Sequence, residues 1–348
     1  MGPKGYAVYG LRAAPLTGAR APLGYEPRDS LAIKKFSCFH SFRPMAVTLN
    51  QLSTFLAVAR EGSVSAAAEK LYVTQPSISA AVSALSKEIG VDLTERVGRG
   101  IGLTAAGEAF RPYAADVLGL VQQGRKAAQE AADSSTRSLS IGAVATAAEH
   151  VVPSLLRAFG ERHPEIRLAL EVANRATLFD RVREHDVDVA IAGRPPDDER
   201  IEGRAFLANE IVAIAAPDDP AAAGAPVRPE QLAEHVWLQR EVGSGTRELV
   251  GEFLAEHDLR PQTLTLGSNG AIKEAVRLGL GISLASRRAV EHDLAAGTLA
   301  EIRVKGGLPR REWYTLRSST VPPRPAVELF LDFAHGPRGR RAFERGRQ

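Results

Sequence analysis

The hydrophobic and polar positions divide most sharply along residues 74–89, which read T-Q-P-S-I-S-A-A-V-S-A-L-S-K-E-I. At about 100° per residue, one arc of the helical wheel is apolar and the opposite arc carries short polar side chains. The apolar arc consists of Ile78, Ala81, Val82, Leu85 and Ile89. Thr74 fits the N-cap, and Pro76 fits the first turn, where a missing N–H costs nothing. The pattern predicts a helix with one buried face and one flat polar face.

Two shorter helical patterns precede this helix, and a strand pattern follows it. Residues 48–59 begin with a capping box of Thr48 and Gln51, and residues 62–71 form an alanine-rich helix that ends in a short turn. Because small residues let two helices cross closely, the segment predicts a helix-turn-helix. Residues 93–103 place arginines and glycines between short apolar ends, which predicts a two-stranded wing.

The polar face of the predicted helix suits the major groove of DNA. A glutamine amide can pair with adenine edges, and serine hydroxyls can bind phosphates or bases. The tip of a wing can approach a phosphate backbone or a minor groove. For this helix alone, an ordinary surface helix of a soluble enzyme is the alternative. The candidate DNA-contacting residues are Thr74, Gln75, Pro76, Ser77, Ser79, Ala80, Ser83, Lys87, Arg96 and Arg99.

From Thr104 the pattern changes to one long helix that ends near Asp133. Apolar residues, most of them small, recur at spacings of four and three, which is the heptad seam of a coiled coil. The seam consists of Phe110, Ala114, Val117, Val121, Gly124, Ala128 and Ala131. At about 1.5 Å per residue the helix spans roughly 40 Å, and Pro112 should kink it. The segment predicts either a dimer coil or a helix packed on its own domain, followed by a hinge at 134–136.

The remainder alternates strand and helix signals, which predicts an α/β architecture. We expect strands at 139–141, 167–172, 187–192, 211–216, 236–239, 263–266 and 281–285, with helices at 150–163, 177–184 and 328–333. A Pro- and Ala-rich connector after Ala216 separates two such units, and the chain returns to the first unit after Glu301. Two lobes joined by two crossovers are therefore expected, with a cleft between them.

Strand-to-helix turns in this half carry glycines and hydroxyls. Glycine permits close approach of the backbone, and the free amides of a helix N-terminus favour an anion. The stretch 240–247, R-E-V-G-S-G-T-R, is not a P-loop because no lysine follows at the required spacing, and a plain helix cap is the alternative. The candidate effector-binding residues are Thr146, Gly193, Gly243, Ser244, Gly245, Thr246, Ser268, Asn269 and Gly270. We expect a small anionic effector, with no metal and no cofactor.

Residues 48–110 resemble the winged helix-turn-helix of the LysR-type transcriptional regulators. The strings A-A-A-E-K-L-Y-V-T-Q-P-S-I-S, L-T-E-R-V-G-R and L-T-A-A-G stand in the family's order and spacing. The resemblance implies a dimer formed through the linker helix, a two-lobed effector domain of type II periplasmic-binding-protein fold, and a homotetramer. It also implies double-stranded DNA with an interrupted inverted repeat as the partner. Residues 240–247 and 266–276, with G-L-G-I-S, most resemble the branch of carbon-fixation and sulfur-anion regulators.

The expected domains follow from these patterns. They are a disordered leader at 1–44, an all-α winged helix-turn-helix at 45–104, a linker helix and hinge at 105–137, an α/β effector domain at 138–335, and a basic disordered tail at 336–348. In the effector domain, lobe I covers about 138–212 and 301–335, and lobe II covers about 213–300. The leader holds seven basic residues against two acidic ones, and the tail holds five arginines against one glutamate. The two ends therefore supply the basic charge of a chain with formal net charge +3.

Composition narrows the class of protein. The 348 residues, 44% hydrophobic and 24% charged, can bury a sizeable globular core. The chain has no apolar run of roughly 18 residues and no secretory signal, so we expect a cytoplasmic protein without a membrane partner. The single cysteine, Cys38, and the scattered histidines argue against an enzyme or a metal site. The alternative function is a solute-binding protein, which explains residues 139–335 but not the helix-turn-helix.

Overall fold

The computed structural model of the chain describes residues 46–345, except for 99, 134 and 136. The expected leader at 1–44, the wing residue Arg99 and the last three residues of the expected tail therefore lie outside the described residues. The described part contains an N-terminal helical domain, one long helix and a two-lobed α/β domain. This order of elements confirms the expected fold class.

The N-terminal domain is a helix-turn-helix with a wing. Its elements are α1 (Leu49–Glu61), α2 (Val64–Leu71), α3 (Gln75–Ile89), β1 (Thr94–Val97) and β2 (Gly100–Leu103). The predicted capping box forms, because Thr48 Oγ1 accepts from the amide of Gln51 at 3.2 Å and Gln51 Oε1 accepts from the amide of Thr48 at 2.7 Å. Phe55, Leu85 and Leu93 are fully buried at the centre of the core that α1 and α3 share.

Helix α4 (Ala105–Ala132) is the long helix that the heptad pattern predicts. Thr104 caps it with a hydroxyl that accepts a backbone amide of the first turn. Its first turns belong to the N-terminal domain, because Ala114 is buried in that core and Phe110 packs on Phe55 with ring centroids 5.6 Å apart. The first two positions of the predicted seam therefore stabilise the chain's own fold.

The α/β domain follows α4. In chain order its elements are β3 (Ser138–Ala143), α5 (Ala145–His150), α6 (Val152–Gly160), β4 (Arg167–Val172), α7 (Arg175–Arg183), β5 (Val189–Ala192), β6 (Ile201–Asn209), β7 (Ile211–Ala215), β8 (Trp237–Gln239), α8 (Gly245–Glu256), β9 (Thr263–Thr265), α9 (Asn269–Arg277), β10 (Ser283–Ser286), α10 (Arg287–Ala295), β11 (Ala300–Ile302), β12 (Arg311–Ser318), α11 (Pro325–His335) and α12 (Pro337–Arg345). Short 3-10 turns at Pro220–Ala222 and Pro229–Leu232 lie in the connector between β7 and β8.

Lobe I is built around a five-stranded sheet with the strand order β4-β3-β5-β12-β6. Strands β4, β3 and β5 run parallel, and β12 is antiparallel to both β5 and β6. The main core of the lobe packs α6 and α11 on this sheet, and it includes the fully buried, edge-to-face rings of Phe159 and Phe330. The parallel strands bring their carboxyl ends to one edge, where the lobe faces the cleft.

Lobe II holds a three-stranded sheet, β10-β7-β11, and the parallel pair β8-β9. A bridge between Trp237 and Ile282 links the two, and the fully buried Trp237 packs on Phe253 of α8 with ring centroids 5.4 Å apart. The chain enters lobe II between β6 and β7 and leaves it between β11 and β12. These two crossovers form the hinge of the domain.

The lobe boundaries differ from the expected ones by a few residues. Lobe II begins with β7 at Ile211 and extends through β11 to Ile302, instead of covering 213–300. The reason is pairing, because both strands form hydrogen bonds within the lobe II sheet. The expected helix at 150–163 is shorter, because Val151 has a φ of −122° and a ψ of −53°, which are not helical. Helix α5 ends before it at His150, and α6 covers Val152–Gly160.

The prediction of a disordered tail at 336–348 is wrong for residues 337–345, which form α12. Phe343 is 3% exposed and packs on Phe206 with ring centroids 5.6 Å apart. Gly339 is buried against α11, where a Cβ would meet the carbonyl oxygens of Phe333 and Ala334. One aromatic anchor and one glycine thus hold an otherwise strongly basic segment on lobe I.

The second half of α4 packs on lobe I of its own chain. His185, which is 5% exposed, lies beneath Gly119, and its Nε2 is 2.9 Å from Asp116 Oδ1. A Cβ at Gly119 would overlap the imidazole ring, so only glycine permits this close approach. The long helix was predicted to form a dimer coil or to pack on its own domain, and the face that contains Asp116 and Gly119 does pack on its own domain.

A buried ionic cluster extends the same contact. The guanidinium of Arg324, 2% exposed, donates to the carboxylate of Glu130, to Asp188 Oδ2 at 2.7 Å and to Gln123 Oε1 at 2.6 Å. Asp188 Oδ2 also accepts from the amide of Ser140 at 2.9 Å. Desolvation lowers the pKa of Arg324, and the two carboxylates compensate its buried charge. Removal of Glu130 or Asp188 would leave the buried charge of Arg324 without one of its two carboxylate partners. The cluster therefore fixes the position in which α4 docks on lobe I.

Candidate nucleic-acid interface and ligand cavity

The predicted DNA-contacting face of α3 lies on the surface of the protein. Ile78, Val82 and Leu85 are buried beneath it. The described members of the predicted set are all exposed, namely Thr74, Gln75, Pro76, Ser77, Ser79, Ala80, Ser83, Lys87 and Arg96. Thr74 stands at the N-cap as predicted, but its hydroxyl does not accept a backbone amide. It lies 2.9 Å from the Ser77 hydroxyl, so the two side chains share a hydrogen bond at the start of the exposed face.

The wing continues this surface beside α3. Strands β1 and β2 pair antiparallel with Val97 opposite Gly100, and Gly98 turns the chain with a positive φ of 59°. Among the described residues, neither Lys87 on α3 nor Arg96 on β1 has an acidic partner. Both cations are therefore open to the phosphates of a nucleic acid.

Two exposed apolar side chains in the turn before α3 were missed by sequence reasoning. Tyr72 is 95% exposed in a left-handed backbone conformation with a φ of 56°, and Val73 is 47% exposed. Apolar side chains beside a recognition surface can contact thymine methyl groups. The sequence did contain a signal for their exposure, because both residues lie in a turn that is too short to reach the core.

A cavity of 550 Å³ lies between the two lobes. Lobe I lines it with the residues that follow β3, β4 and β5, and lobe II lines it with the residues that follow β8 and the start of α8. The hinge contributes Asn209, Ile211 and residues 311–313. The volume falls within the range of about 300–1,000 Å³ that is typical of small-molecule sites.

The structure brings most of the predicted effector-binding residues to this cavity. Its lining includes Thr146, Gly193, Ser244, Gly245 and Thr246. Asn269 borders a smaller space that Thr146 and Thr246 also line. The remaining candidates, Gly243, Ser268 and Gly270, line neither space. Ser268 instead caps α9, where its hydroxyl accepts a backbone amide at 3.1 Å.

Side chains of the two lobes meet directly at the cavity. Asn269 Nδ2 donates to Thr146 Oγ1 at 2.9 Å, and Asn269 Oδ1 accepts from Arg240 Nη1 at 2.6 Å. Nearby, Arg175 of α7 donates to Glu248 of α8 at 2.8 Å. These polar groups hold the lobes together, and they are also the groups that a bound ligand could engage.

Arg240 is the most constrained cation in the cavity wall, with 8% of its surface exposed. It binds Glu241 as a fork, with its Nε and Nη2 donating at 2.7 and 3.0 Å. Burial tends to raise the pKa of Glu241, but hydrogen bonds, that from Arg240 foremost, hold this pKa below its ordinary value. The ionised carboxylate of Glu241 therefore fixes the guanidinium of Arg240 at the cavity.

The charged lining of the cavity is mixed. It consists of Arg175, Arg194, Arg240, Arg311, Glu248, Glu252 and Glu312. Arg175 pairs with Glu248 and Arg311 pairs with Glu252, whereas Arg194 has no acidic partner among the described residues. The candidate set left out all four arginines because it was chosen for glycine, hydroxyl and amide residues, although Arg240 begins the predicted stretch 240–247. The available signal was that Arg175 and Arg194 each come shortly after a predicted strand.

The described residues include no group of three or more His, Cys, Asp and Glu side chains that could hold a metal ion. Within the same part of the chain, no helix is both long and apolar enough to cross a membrane. The functional groups at the cavity are amides, hydroxyls, guanidinium groups and carboxylates. Such groups bind ligands through hydrogen bonds and charge.

Two family models match the chain. The model described as "Bacterial regulatory helix-turn-helix protein, lysR family" matches residues 49–108, and "LysR substrate binding domain" matches residues 132–336. The chain belongs to the LysR family. As a LysR-type transcriptional regulator it combines a helix-turn-helix DNA-binding domain with an effector-binding domain. The match at 49–108 overturns the alternative of a solute-binding protein without DNA function.

Relatives of this LysR-type regulator support its place within the family. The RuBisCO operon transcriptional regulator of Allochromatium vinosum is 36% identical over 293 residues, which are 83% of this chain and 96% of the relative. A variant of full-length OxyR from Pseudomonas aeruginosa matches with a TM-score of 0.61 and 26% identity, over 82% of this chain and 93% of that chain. The CcmR regulatory domain from Synechocystis PCC6803, in complex with 2-PG, matches with a TM-score of 0.54 and 29% identity, over 57% of this chain and 95% of that chain. The similarity to a RuBisCO operon regulator confirms the predicted carbon-fixation branch, and curated relatives of this branch are transcriptional regulators, not enzymes.

Proposed function

We propose that this regulator binds operator DNA through the exposed face of α3 and the wing, and that a small anionic metabolite in the interlobe cavity modulates this binding. The main support for an anionic ligand is that Arg240, Arg194 and the N-terminus of α8 all line one cavity. Ser244 caps α8 and Thr246 lies in its first turn. A helix N-terminus contributes roughly 0.3 to 1 kcal/mol toward an anion, and guanidinium groups add charge-assisted hydrogen bonds.

The comparisons support an effector drawn from carbon metabolism. The CcmR domain, which shares the effector-domain fold at 29% identity, is in complex with 2-PG. The Allochromatium vinosum relative is named for the RuBisCO operon. A regulator of this branch would respond to a small metabolite of the pathway whose genes it controls, and it would act in the cytoplasm, where its DNA lies.

Ligand binding reaches the DNA-binding domain through contacts within one chain. Helix α4 runs from the core of the N-terminal domain to its docking site on lobe I. A second connection is Arg60 of α1, which donates to the carboxylates of Glu184 and Asp186 in the loop before β5. A ligand that biases the lobes therefore biases the DNA-binding domain, and the effect must be reciprocal between effector and operator.

We also propose that α4 forms the dimer and that two dimers make a tetramer on an interrupted inverted repeat. One stripe of α4 is apolar yet exposed, with Tyr113 at 69%, Val117 at 46%, Leu120 at 52% and Val121 at 47%. This stripe points away from the face that docks on lobe I, so one helix can serve both contacts. A partner helix supplies the apolar surface that would cover it.

The anion proposal is tested by calorimetry on the full chain. Candidate carboxylates, phosphates and sulfur oxyanions are titrated into wild type and into Thr246→Val, which removes a hydroxyl at the cavity without a large change in volume. We expect about tenfold weaker binding of the effector in Thr246→Val. The control is Thr263→Val, an exposed strand position outside the cavity, which should bind as wild type does. A cationic or apolar effector, or unchanged affinity in Thr246→Val, would refute the proposal.

The DNA interface is tested by fluorescence anisotropy with an operator and its single-base variants. If Gln75 reads a base, Gln75→Ala should cost about 1 to 3 kcal/mol at one operator position only. Arg96→Ala and Arg99→Ala should weaken binding to all sequences and reduce the salt dependence. Gln122→Ala, an exposed position on α4, is the control and should leave affinity unchanged. The assignment of α3 and the wing fails if all of these variants bind as wild type does.

A further inference from the structure

A second cavity, of 1060 Å³, adjoins the first at the hinge. Residues 208–211 and 301–312, which contain the two crossovers, form most of its lining. The residues common to both cavities are Arg194, Asn209, Ile211, Arg311 and Glu312. The two spaces therefore meet along the same strands, and the second is close to the upper end of the range of about 300–1,000 Å³ for small-molecule sites.

Most carboxylates of this hinge cavity are already engaged. Arg287 donates to Glu210 at 2.6 Å and to both oxygens of Glu301 at 2.6 and 2.7 Å. The third carboxylate, Glu312, accepts a long hydrogen bond of 3.4 Å from the hydroxyl of Tyr314. Arg287, which does not itself line the cavity, thus pairs with two of the three acidic groups, and its single positive charge offsets one of their two negative charges.

Three arginines of the same cavity lack a counter-charge. Among the described residues, Arg194, Arg303 and Arg310 have no acidic partner, and all three are exposed. Arg194 follows β5 in lobe I, Arg303 follows β11 in lobe II, and Arg310 precedes β12 in lobe I. Three like charges around one space repel one another, and a multivalent anion placed among them removes that repulsion. Guanidinium groups also match phosphate and carboxylate oxygens bidentately.

The hinge cavity also has an apolar part. Val304, Leu308 and Tyr314 line it, and each is half-buried. Bare inorganic anions gain nothing from such surface, whereas an organic ligand buries carbon atoms against it. The lining therefore matches a ligand with both a charged and an apolar portion.

We propose that the hinge cavity is a second ligand site, specific for a multiply charged organic anion of the phosphorylated-metabolite class. It is separate from the effector site between the lobes, although the two share a wall. A ligand held by Arg310 of lobe I and by Arg303 of lobe II bridges the crossovers, and Arg194 lies on the wall that this site shares with the interlobe cavity. Binding there stabilises one angle between the lobes and so changes the affinity of the interlobe cavity for its own effector.

The test uses full-length protein, with inorganic triphosphate as the probe of the charged part, in calorimetry at about 0.15 M salt. The hinge variant is Arg303→Ala/Arg310→Ala, which removes two exposed side chains outside the interlobe cavity. The charge-matched control is Arg157→Ala/Arg260→Ala, whose side chains are 83% and 90% exposed elsewhere on the effector domain. Because all four side chains are on the surface, each variant should fold, and its thermal midpoint is compared with that of wild type.

We expect the hinge variant to bind triphosphate at least about tenfold more weakly than wild type, because two charge-assisted contacts are lost. The charge-matched control should stay within about twofold of wild type. Equal loss in the charge-matched control would mean nonspecific attraction and would overturn the site. If Thr246→Val binds triphosphate more weakly while the hinge variant binds it as wild type does, the anion lies in the interlobe cavity and the proposal is wrong. The proposal is also wrong if wild type does not bind triphosphate. If Thr246→Val does not weaken effector binding, the anion proposal for the interlobe cavity fails. The comparison of the hinge variant with its charge-matched control still tests the hinge cavity.

Discussion

At the scale of single residues, His335 connects the stability of lobe I to pH. It ends α11, and its Nε2 lies 2.8 Å from Thr315 Oγ1 on β12. Burial lowers the pKa of His335 below its ordinary value of 6.5, and the charge of Arg204 lowers it further. The unfolded chain therefore takes up this proton before the folded chain does. The contribution of His335 to stability is complete above pH 6.5 and is lost as the pH falls through 6.5 toward the folded pKa.

We expect His335→Gln to reduce this loss of stability in acid. The free energy of unfolding is measured with urea at about pH 7.5 and about pH 5.5, on either side of the ordinary histidine pKa. Wild type should lose more stability between the two conditions than the variant, which has no proton to take up. The effect will be partial, because burial also lowers the pKa of His150 in the same lobe. Equal losses in both proteins would contradict the assignment.

At the scale of elements, α4 serves different surfaces on different faces. Gly119 allows it to lie on His185, and Arg324 anchors its far end through Glu130. We expect Gly119→Ala to destabilise the protein by about 1 to 3 kcal/mol, because the added methyl group overlaps the imidazole and overpacking outweighs the better helix propensity of alanine. The control is Gly251→Ala in α8, where the added Cβ meets nothing within 4 Å apart from its chain neighbours and the backbone of its own helix.

Urea unfolding of both variants measures the difference. Gly251→Ala should be stabilised by about 0.5 to 1 kcal/mol, since alanine loses less backbone entropy than glycine in a helix. The two substitutions are chemically identical and differ only in what the new methyl group meets. A similar gain in Gly119→Ala would show that α4 does not dock on His185 in solution.

At the scale of the whole molecule, the exposed apolar stripe of α4 predicts self-association. We expect Val117→Glu/Val121→Glu to weaken the dimer by at least about tenfold, because association would bury unpaired charges. Size-exclusion chromatography with light scattering over a concentration series measures the shift toward monomer. Gln122→Glu, exposed on the same helix but off the stripe, is the control for added negative charge. An unchanged assembly in the double variant would place the dimer contact elsewhere.

The features that the sequence by itself determined are local ones. The capping box at Thr48 and the buried arc of α3 both depend on residues within a few positions of one another. For the same reason the exposed polar face of α3 could be identified before the fold was known. The strand-to-helix turn of Ser244 and Thr246 could also be predicted, because glycine and hydroxyl residues are typical of a helix N-terminus.

The tertiary structure alone decided the features that join distant residues. Gly119 and His185 are far apart in the chain, so the steric reason for the glycine cannot be found in its neighbourhood. Strands β6 and β12 were not predicted, because many of their residues are polar and each becomes a strand mainly through pairing with the other. The basic segment of α12 was predicted to be solvated, because the core of lobe I into which Phe343 packs is formed by distant residues.

The same reason explains which parts of the ligand sites escaped prediction. Arginine side chains are long and usually solvated, so the only local sign that Arg175, Arg194 and Arg240 share a site is that each comes shortly after a predicted strand. They meet only because parallel strands of one lobe end opposite a helix start of the other. Whether a charge is paired or left open, as at Arg303, depends on which carboxylates folding brings near it. That choice is made by non-local contacts, and it distinguishes a binding site from an ordinary charged surface.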